Sequence, residues 1–476
     1  MNWKATVEPV LVRMPSVERP DGHVPFREKL AWTTGVLVLY FFLTNVFLFG
    51  LGSGSQDVFG QFRSILAGGQ GTVLQLGIGP IVTASIVLQL LNGADLLGLD
   101  TSDPRDQQLY QGLQKLLVVA MICLTGLPMV FAGSFLPVAP KLASQYGTLP
   151  IKWLMFLQIF LGGVLVLAMD EVVSKWGVGS GISLFIVAGV SQRLVGGLFA
   201  APILGNPNPG IVASWVGILS GAIPVGSPLT ASGIQDLLVG PGQLLPVFTT
   251  LLIFGIVVYA ESVRVEIPLS HTRVKGARGR FPVKLIYASV LPLLLVRALQ
   301  ANIQFLGRIL YSQWGDSMPH WLGVYTTSRG GAYPVSGLFY YLNPIQAPQQ
   351  WMWWLGGTAA DPWQVGLRVL VDLVFMLIGG AIFAVFWVET ADMGPDATAR
   401  QILNSGMQIP GFRQSESVMR RVLTRYIPQI TVIGGAIVGV LAVLANMLGT
   451  IGGVSGTSLL LTVSITYKLY EEIAEE

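Results

Sequence analysis

Long apolar runs broken by shorter polar stretches set the pattern of this chain. Residues 32–51, 76–91, 113–135, 151–169, 182–199, 244–260, 285–306, 365–388, 427–448 and 458–469 are mostly apolar. Nearly all are close to the length a helix needs to cross a bilayer, and the last is short. Ten such runs predict ten transmembrane helices and an all-α polytopic membrane protein. One run is unusual. LGIGPIVTASIVLQLL, residues 76–91, opens on Gly77, Gly79 and Pro80 and carries Thr83, Ser85 and Gln89. Gly and Pro loosen or break a helix start. Polar side chains at membrane depth need a partner or a wet cavity. This helix is therefore expected to face the protein interior or a pathway.

The polar stretches differ among themselves. In GSGSQDVFGQFRSILAGGQG, residues 52–71, the side chains of Val58, Phe59, Phe62, Ile65 and Leu66 suit one helical face. The piece is too short to span and lies between Gly52, Gly54, Gly68, Gly69 and Gly71, so it reads as a hinged helix that docks on something. Residues 200–243 are rich in Gly and Pro and hold no Lys or Arg. Residues 261–284 form a dense basic loop, 307–364 an irregular loop with Trp351, Trp353, Trp354 and Trp363, and 389–426 a polar loop with five arginines. Tryptophan suits a membrane interface.

Composition fixes the class. Only 11% of the 476 residues are charged and 52% are hydrophobic, against about 25% charged in soluble domains. Twenty of the 28 Lys and Arg fall on one side of the predicted spans and five on the other. The positive-inside rule then puts both termini in the cytosol and the 59–66 helix outside. Two five-helix halves, 1–200 and 244–476, joined by an external loop 201–243, would run in opposite senses, as in an inverted repeat. A single cysteine, Cys123, allows no internal disulfide, and three scattered histidines suit no metal site. Phosphate-loop, zinc-protease and nucleophile-elbow motifs are lacking, so the expectation is no enzyme, no cofactor and no metal. What remains open on these grounds is a channel or a secondary transporter of a small solute.

The motifs add a resemblance. LGIGPIVTASIVLQLL, DEVVSKWGVGSGISLFIVAGVSQ, YAESVRVEIPLSHTRVKG, FWVETADMGP and RYIPQITVIGGA…GGVSGTSLLLTVSI resemble the SecY/Sec alpha family, the channel-forming subunits of the protein translocon, and its archaeal members most. The matches run in order from about residue 28 to 471. The resemblance implies two halves around an hourglass pore and a Sec channel that passes unfolded polypeptides and releases hydrophobic segments sideways. It implies a pore ring at Ile78, Val82, Ile182, Ile186, Leu291, Leu294 and Leu461. All seven are aliphatic, and each of the first three pairs shares a helix face by spacing. It implies a plug over about 57–67 carrying Val58, Phe59, Phe62, Ile65 and Leu66. It implies a lateral gate between 76–91 and 285–306, with polar positions Thr83, Thr125 and Asn302. Thr125 stands where archaeal members often have glutamate.

By the same resemblance Arg264, Arg273, Lys275, Arg278 and Arg280, then Arg400, Arg413, Arg420 and Arg421, would meet the ribosome. The partners implied are a SecE-type subunit, a small third subunit of the Sec beta/SecG type, the ribosome, signal-bearing polypeptides and membrane lipids, in the cell membrane. Two charged features stay apart from this scheme. Arg297 within a span is expected either to line a wet outer funnel or to snorkel. Arg368 and Asp372, four apart, are expected to pair on one helix face.

Overall fold

The structure is a computed structural model that describes residues 9, 11, 14–20, 22, 24–57, 59–60, 62–93, 96–99, 103–132, 135–200, 209–227, 230–271, 278–284, 291–328, 331–355, 360–391, 393–404, 407–408 and 416–475. In chain order its helices are α1 (Phe26–Thr44), α2 (Arg63–Leu66), α3 (Gly79–Gly93), α4 (Pro104–Phe131), α5 (Pro140–Tyr146), α6 (Thr148–Trp176), α7 (Gly181–Phe199) and α8 (Ile211–Leu219). They continue as α9 (Ala231–Leu238), α10 (Leu244–Ser262), α11 (Leu291–Trp314), α12 (Leu338–Tyr341), α13 (Pro362–Thr390), α14 (Pro395–Asn404), α15 (Glu416–Leu448) and α16 (Gly456–Glu475). Each of the ten apolar runs has its long helix: α1, α3, α4, α6, α7, α10, α11, α13, α15 and α16.

Seven of these are by themselves long and apolar enough to cross a membrane, and α3 is apolar but shorter. Large apolar side chains lie exposed on the outer faces, among them Phe42, Leu124, Phe248, Leu251, Leu370 and Ile433. That is what a lipid-facing belt requires.

Local chemistry moves several helix ends away from the apolar runs. α1 starts earlier, after Pro25, whose carbonyl accepts from the amides of Glu28 and Lys29. It stops at Asn45, so Phe47 bridges to Thr72 and Leu51 to Val138 instead of continuing the helix. α4 starts at Pro104 because Asp103 caps it, its carboxylate accepting from Arg105 N at 3.1 Å. α11 runs on to Trp314, past the end of its apolar run; residues 285–290 lie outside the described ones.

The loops carry more order than their composition suggests. The basic stretch is an antiparallel hairpin of β1 (Arg264–His271) and β2 (Arg278–Lys284), and β5 (Met407–Gln408) adds to β1, giving the order β2-β1-β5. The tryptophan-rich loop holds the hairpin of β3 (Val324–Ser328) and β4 (Gly331–Ser336). Trp353, Trp354 and Trp363 stay exposed, while Trp351 donates its indole N–H to Met447 O at 2.8 Å.

Close approach fixes the bundle. α13 and α15 touch along their length at Gly380 and Gly435, where a Cβ on either would lie within 2.6 Å of the other's carbonyl oxygen. Small residues at such a seam let dispersion contacts act where lipid offers no hydrophobic drive. Helix α3 lies between α4, α11 and α13, and α16 packs on α7 and α10. One large buried cluster runs through all of them.

Candidate pore, plug and gate

The expected ring positions come from four separate chain segments, and most of them are buried in this cluster. Ile78 and Val82 stand at the start of α3, joined by the Val82 N to Ile78 O hydrogen bond. Ile182 and Ile186 stand on α7, Leu291 and Leu294 on α11 and Leu461 on α16. Ile78, Val82, Ile186, Leu294 and Leu461 belong to one buried cluster, and the half-buried Ile182 packs against it. Leu291 is half-buried at the tip of α11. Aliphatic side chains of this kind, if they ring a pore, would dewet it and exclude ions. Asp170 of α6 holds one side in place. Its carboxylate accepts from Ile182 N at 2.9 Å and so caps α7 from a neighbouring helix.

The segment before α3 folds back into the same buried cluster. The amphipathic spacing of 59–66 predicted a helix over that whole stretch; only Arg63–Leu66 is helical, with turns before it, and Val58 lies outside the described residues. Phe59, Phe62, Ile65 and Leu66 are all buried. Leu66 O accepts from Ile78 N at 2.8 Å, next to the predicted ring, and Tyr40 donates its hydroxyl to Ala67 O at 2.8 Å. Ser64 bonds Ser458 of α16 at 2.8 Å. Arg63, only 4% exposed, is forked on Asp57, with its Nε 2.9 and 3.0 Å from the two carboxylate oxygens. Arg308 of α11 donates to Asp57 O at 3.2 Å. The Phe59 and Phe305 rings lie 5.2 Å apart. The segment is thus tied to α1, α3, α11 and α16 at once.

Beside it the three predicted gate positions come together. Asn302 Nδ2 of α11 donates to Thr83 Oγ1 of α3 at 2.9 Å. Thr83 in turn donates to Gly79 O at 2.9 Å. Thr125 of α4 lines the same crevice with Phe59, Leu66, Pro80, Ala298 and Ala301. A seam closed by one neutral side-chain hydrogen bond is weakly held, at about 0.6 kcal/mol for an average membrane contact.

The charges inside the bundle differ from the sequence-based expectation. Arg297 neither lines an open funnel nor snorkels. It is 1% exposed, with Nη1 3.0 Å from Asp372 Oδ1 and 2.6 Å from Gln300 Oε1, and Nε 3.3 Å from Thr457 Oγ1. Asp372 therefore pairs with Arg297 and not with Arg368. Arg368 donates instead to the carbonyls of Asn343 and Pro344 at 2.8 and 3.0 Å and sits over the Tyr340 ring. Spacing along one helix could not reveal this, because the preferred partner comes from another helix.

Arg264 pairs with Glu471 at 3.0 Å. Arg278 and Arg280 stand on β2 opposite Ser270 and Pro268. Arg400 lies on α14, and Arg420 of α15 pairs with Asp396 at 2.5 Å. Arg273, Lys275 and Arg413 lie outside the described residues. Arg421 shares a shallow depression with Ser417, Thr424 and Arg425. Arg425 was passed over in the sequence, although its spacing of four from Arg421 puts both on one helix face. The Asp57–Arg63 pair and the Ser64–Ser458 contact were also passed over. The first could have been sought as the one opposite-charge pair in the plug stretch, whereas nothing in the sequence marks the second.

A ten-helix membrane bundle with a short helix folded back into its core is the architecture of a membrane channel. A family model named SecY matches residues 72–470, and a model of the plug domain of Sec61p matches residues 38–71. The chain belongs to the SecY family. It is 70% identical to the protein translocase subunit SecY of Haloarcula marismortui over 480 residues, covering 100% of this chain and 97% of that one. Among solved structures, one described as the structure of a protein conducting channel matches with a TM-score of 0.80 and 37% identity, covering 99% of this chain and 97% of its own. Sec61 in the canine ribosome-channel complex from the endoplasmic reticulum matches with a TM-score of 0.77 and 35% identity, over 99% and 97% of the two chains. These relatives are channel subunits and not enzymes, and the small-solute transporter reading draws no support from them.

Proposed function

We propose that this chain forms the pore of a Sec translocation channel, in which unfolded polypeptide crosses at the aliphatic waist and apolar segments leave sideways between α3 and α11. The observation that supports this reading is the burial of Phe59, Phe62, Ile65 and Leu66 in the core, with Leu66 O bonded to Ile78 N. In it Ile78, Val82, Ile182, Ile186, Leu291, Leu294 and Leu461 form the gasket, and Phe59, Phe62, Ile65 and Leu66 are the faces of the plug that leave it. Thr83, Thr125 and Asn302 form the polar latch of the gate. An apolar signal segment, which prefers lipid, competes with that weak seam.

The charge asymmetry supports both termini and the β1–β2 hairpin in the cytosol and the plug outside the cell membrane. Residues 1–200 and 244–476 are the two halves that part at the gate. Arg264, Arg278, Arg280, Arg400, Arg420 and Arg421, with Arg273, Lys275 and Arg413, offer guanidinium and ammonium groups to ribosomal RNA phosphates. The canine relative sits in a ribosome–channel complex, which supports that partner. A SecE-type subunit and a small third subunit complete the heterotrimer.

The test is single-channel conductance in a planar bilayer, comparing the chain with a deletion of residues 57–67, both reconstituted with the small partner. A silent parent and a flickering, weakly ion-selective deletion support the plugged pore. A silent deletion, together with ion-coupled solute uptake by the parent, would refute it.

A further inference from the structure

Helix α11 is bonded very unequally on its two flanks. Arg297, Gln300 and Gln304 follow one another at i, i+3 and i+7, so they form one stripe. All three are buried. Arg297 reaches Asp372 of α13 and Thr457 of α16. Gln300 donates to Leu342 O at 2.8 Å and Gln304 to Phe339 O at 2.9 Å. Asn446 of α15 closes the network through Thr457, accepting from Thr457 N at 3.1 Å. Among the described residues, every partner of the stripe outside α11 lies C-terminal to it. The side-chain bond from α11 to α3 is Asn302 to Thr83. Between the two flanks run Leu294, buried in the core, Ala298 and Ala301, which line the gate crevice, and Phe305, which meets Phe59 of the plug segment.

The charge matters as well as the count. Arg297 is one turn from Leu294, about 4.5 Å along the axis. An uncompensated guanidinium there would hydrate a constriction that seals by being dry. Asp372 neutralises it at 3.0 Å with both side chains at most 1% exposed. Arg297 Nη2 and Asp372 Oδ2 find no hydrogen-bond partner among the described residues. Buried pairs of this kind are poor stabilisers compared with apolar packing, and they serve best as registers.

We propose that the Arg297–Asp372 pair is a positioning element of the gate. It fixes the rotation of α11 about its own axis. Leu294 is thereby kept in the ring and Asn302 opposite Thr83, and the seam parts between α11 and α3 rather than between α11 and α13. This rests on the channel reading above.

The test uses the assembled complex in membranes and two exported reporters, one with an intact signal segment and one with its apolar run shortened. Arg297→Met/Asp372→Leu removes both charges and strands neither. Asp372→Asn is isosteric and leaves the guanidinium uncompensated. We expect the ratio of shortened-signal to intact-signal export to rise at least fivefold in the double variant. We expect Asp372→Asn to raise it too and to add a resting ion leak. A merely structural pair would lower export of both reporters together; an unchanged ratio in both variants, at normal membrane levels, overturns the proposal. Failure of the unaltered complex to export even the intact reporter would overturn the channel reading itself, and the role of the pair with it.

Discussion

The hydroxyl of Ser64 lies 2.8 Å from that of Ser458, 394 residues further along the chain. Ser458 is also 2.5 Å from Ser455, so a plug residue joins a short chain of hydroxyls at the head of α16. Ser64→Ala removes the plug's member and leaves Ser458 bonded to Ser455. No buried group is orphaned, so the loss is that of one neutral hydrogen bond, about 1 kcal/mol. That corresponds to about fivefold in the ratio of closed to open plug. Single-channel recording should show resting open probability rising by about that factor. An unchanged value would mean that these hydroxyls do not hold the plug.

A second prediction concerns the turn into α3. Gly77 has φ +55°, and a Cβ there would stand 2.1 Å from Leu66 O. A non-glycine residue in the left-handed region costs about 1–2 kcal/mol. The collision adds to this, because it displaces the carbonyl that accepts from Ile78 N. Gly77→Ala should therefore leak more than Ser64→Ala in the same bilayer assay. A Gly77→Ala channel as quiet as the parent would show that the Leu66–Ile78 bond is not what seats the plug.

The long helices were legible because a span of about 20 apolar residues declares itself without tertiary information. Their ends were less so. Pro25 and Asp103 decide where α1 and α4 begin, and both are polar-side signals outside the apolar runs. The plug stretch read as a helix from its apolar spacing, yet Asp57 takes the Arg63 side chain and the part before Arg63 stays in turns. The 261–284 hairpin was hidden by Pro268 and Pro282, which blur the alternation of a strand. Aliphatic ring positions cannot be told from other aliphatic positions by chemistry in such a chain; the resemblance in motifs singled them out. The partner of Arg297 was illegible for a different reason. Asp372 lies 75 residues away on another helix, whereas Arg368, four residues from Asp372, offered a more obvious pairing that the fold does not use.

The seam itself gives a third prediction. Asn302→Leu removes the bond to Thr83, but Thr83 keeps its bond to Gly79 O and is not stranded. The apolar side chain then packs into a crevice already lined by Phe59, Leu66, Pro80 and Ala301. Replacing a hydrogen-bonded pair by apolar contact without an orphan is neutral or stabilising. The closed seam should hold more firmly. Across reporters with signal segments of graded hydrophobicity, half-maximal export should move to the more hydrophobic side. A midpoint that stays put would show that the Asn302–Thr83 bond does not set the threshold.

The last prediction tests the cytosolic face. Arg420, Arg421 and Arg425 line one depression with Ser417 and Thr424, and Arg420 is also engaged with Asp396. All three arginines lie at the exposed start of α15. If this face meets ribosomal RNA, each phosphate contact adds to the dependence of binding on salt. Losing one contact lowers the slope of log K against log salt by about 0.7–0.9. Arg421→Glu/Arg425→Glu should weaken ribosome binding by the detergent-solubilised complex at all salt concentrations and reduce that slope by about 1.4–1.8. The β1–β2 hairpin is untouched by these changes, so residual binding should persist and retain a salt dependence of its own. Unaltered affinity and slope in the double variant would confine the contact to the hairpin and leave these arginines to fix topology alone.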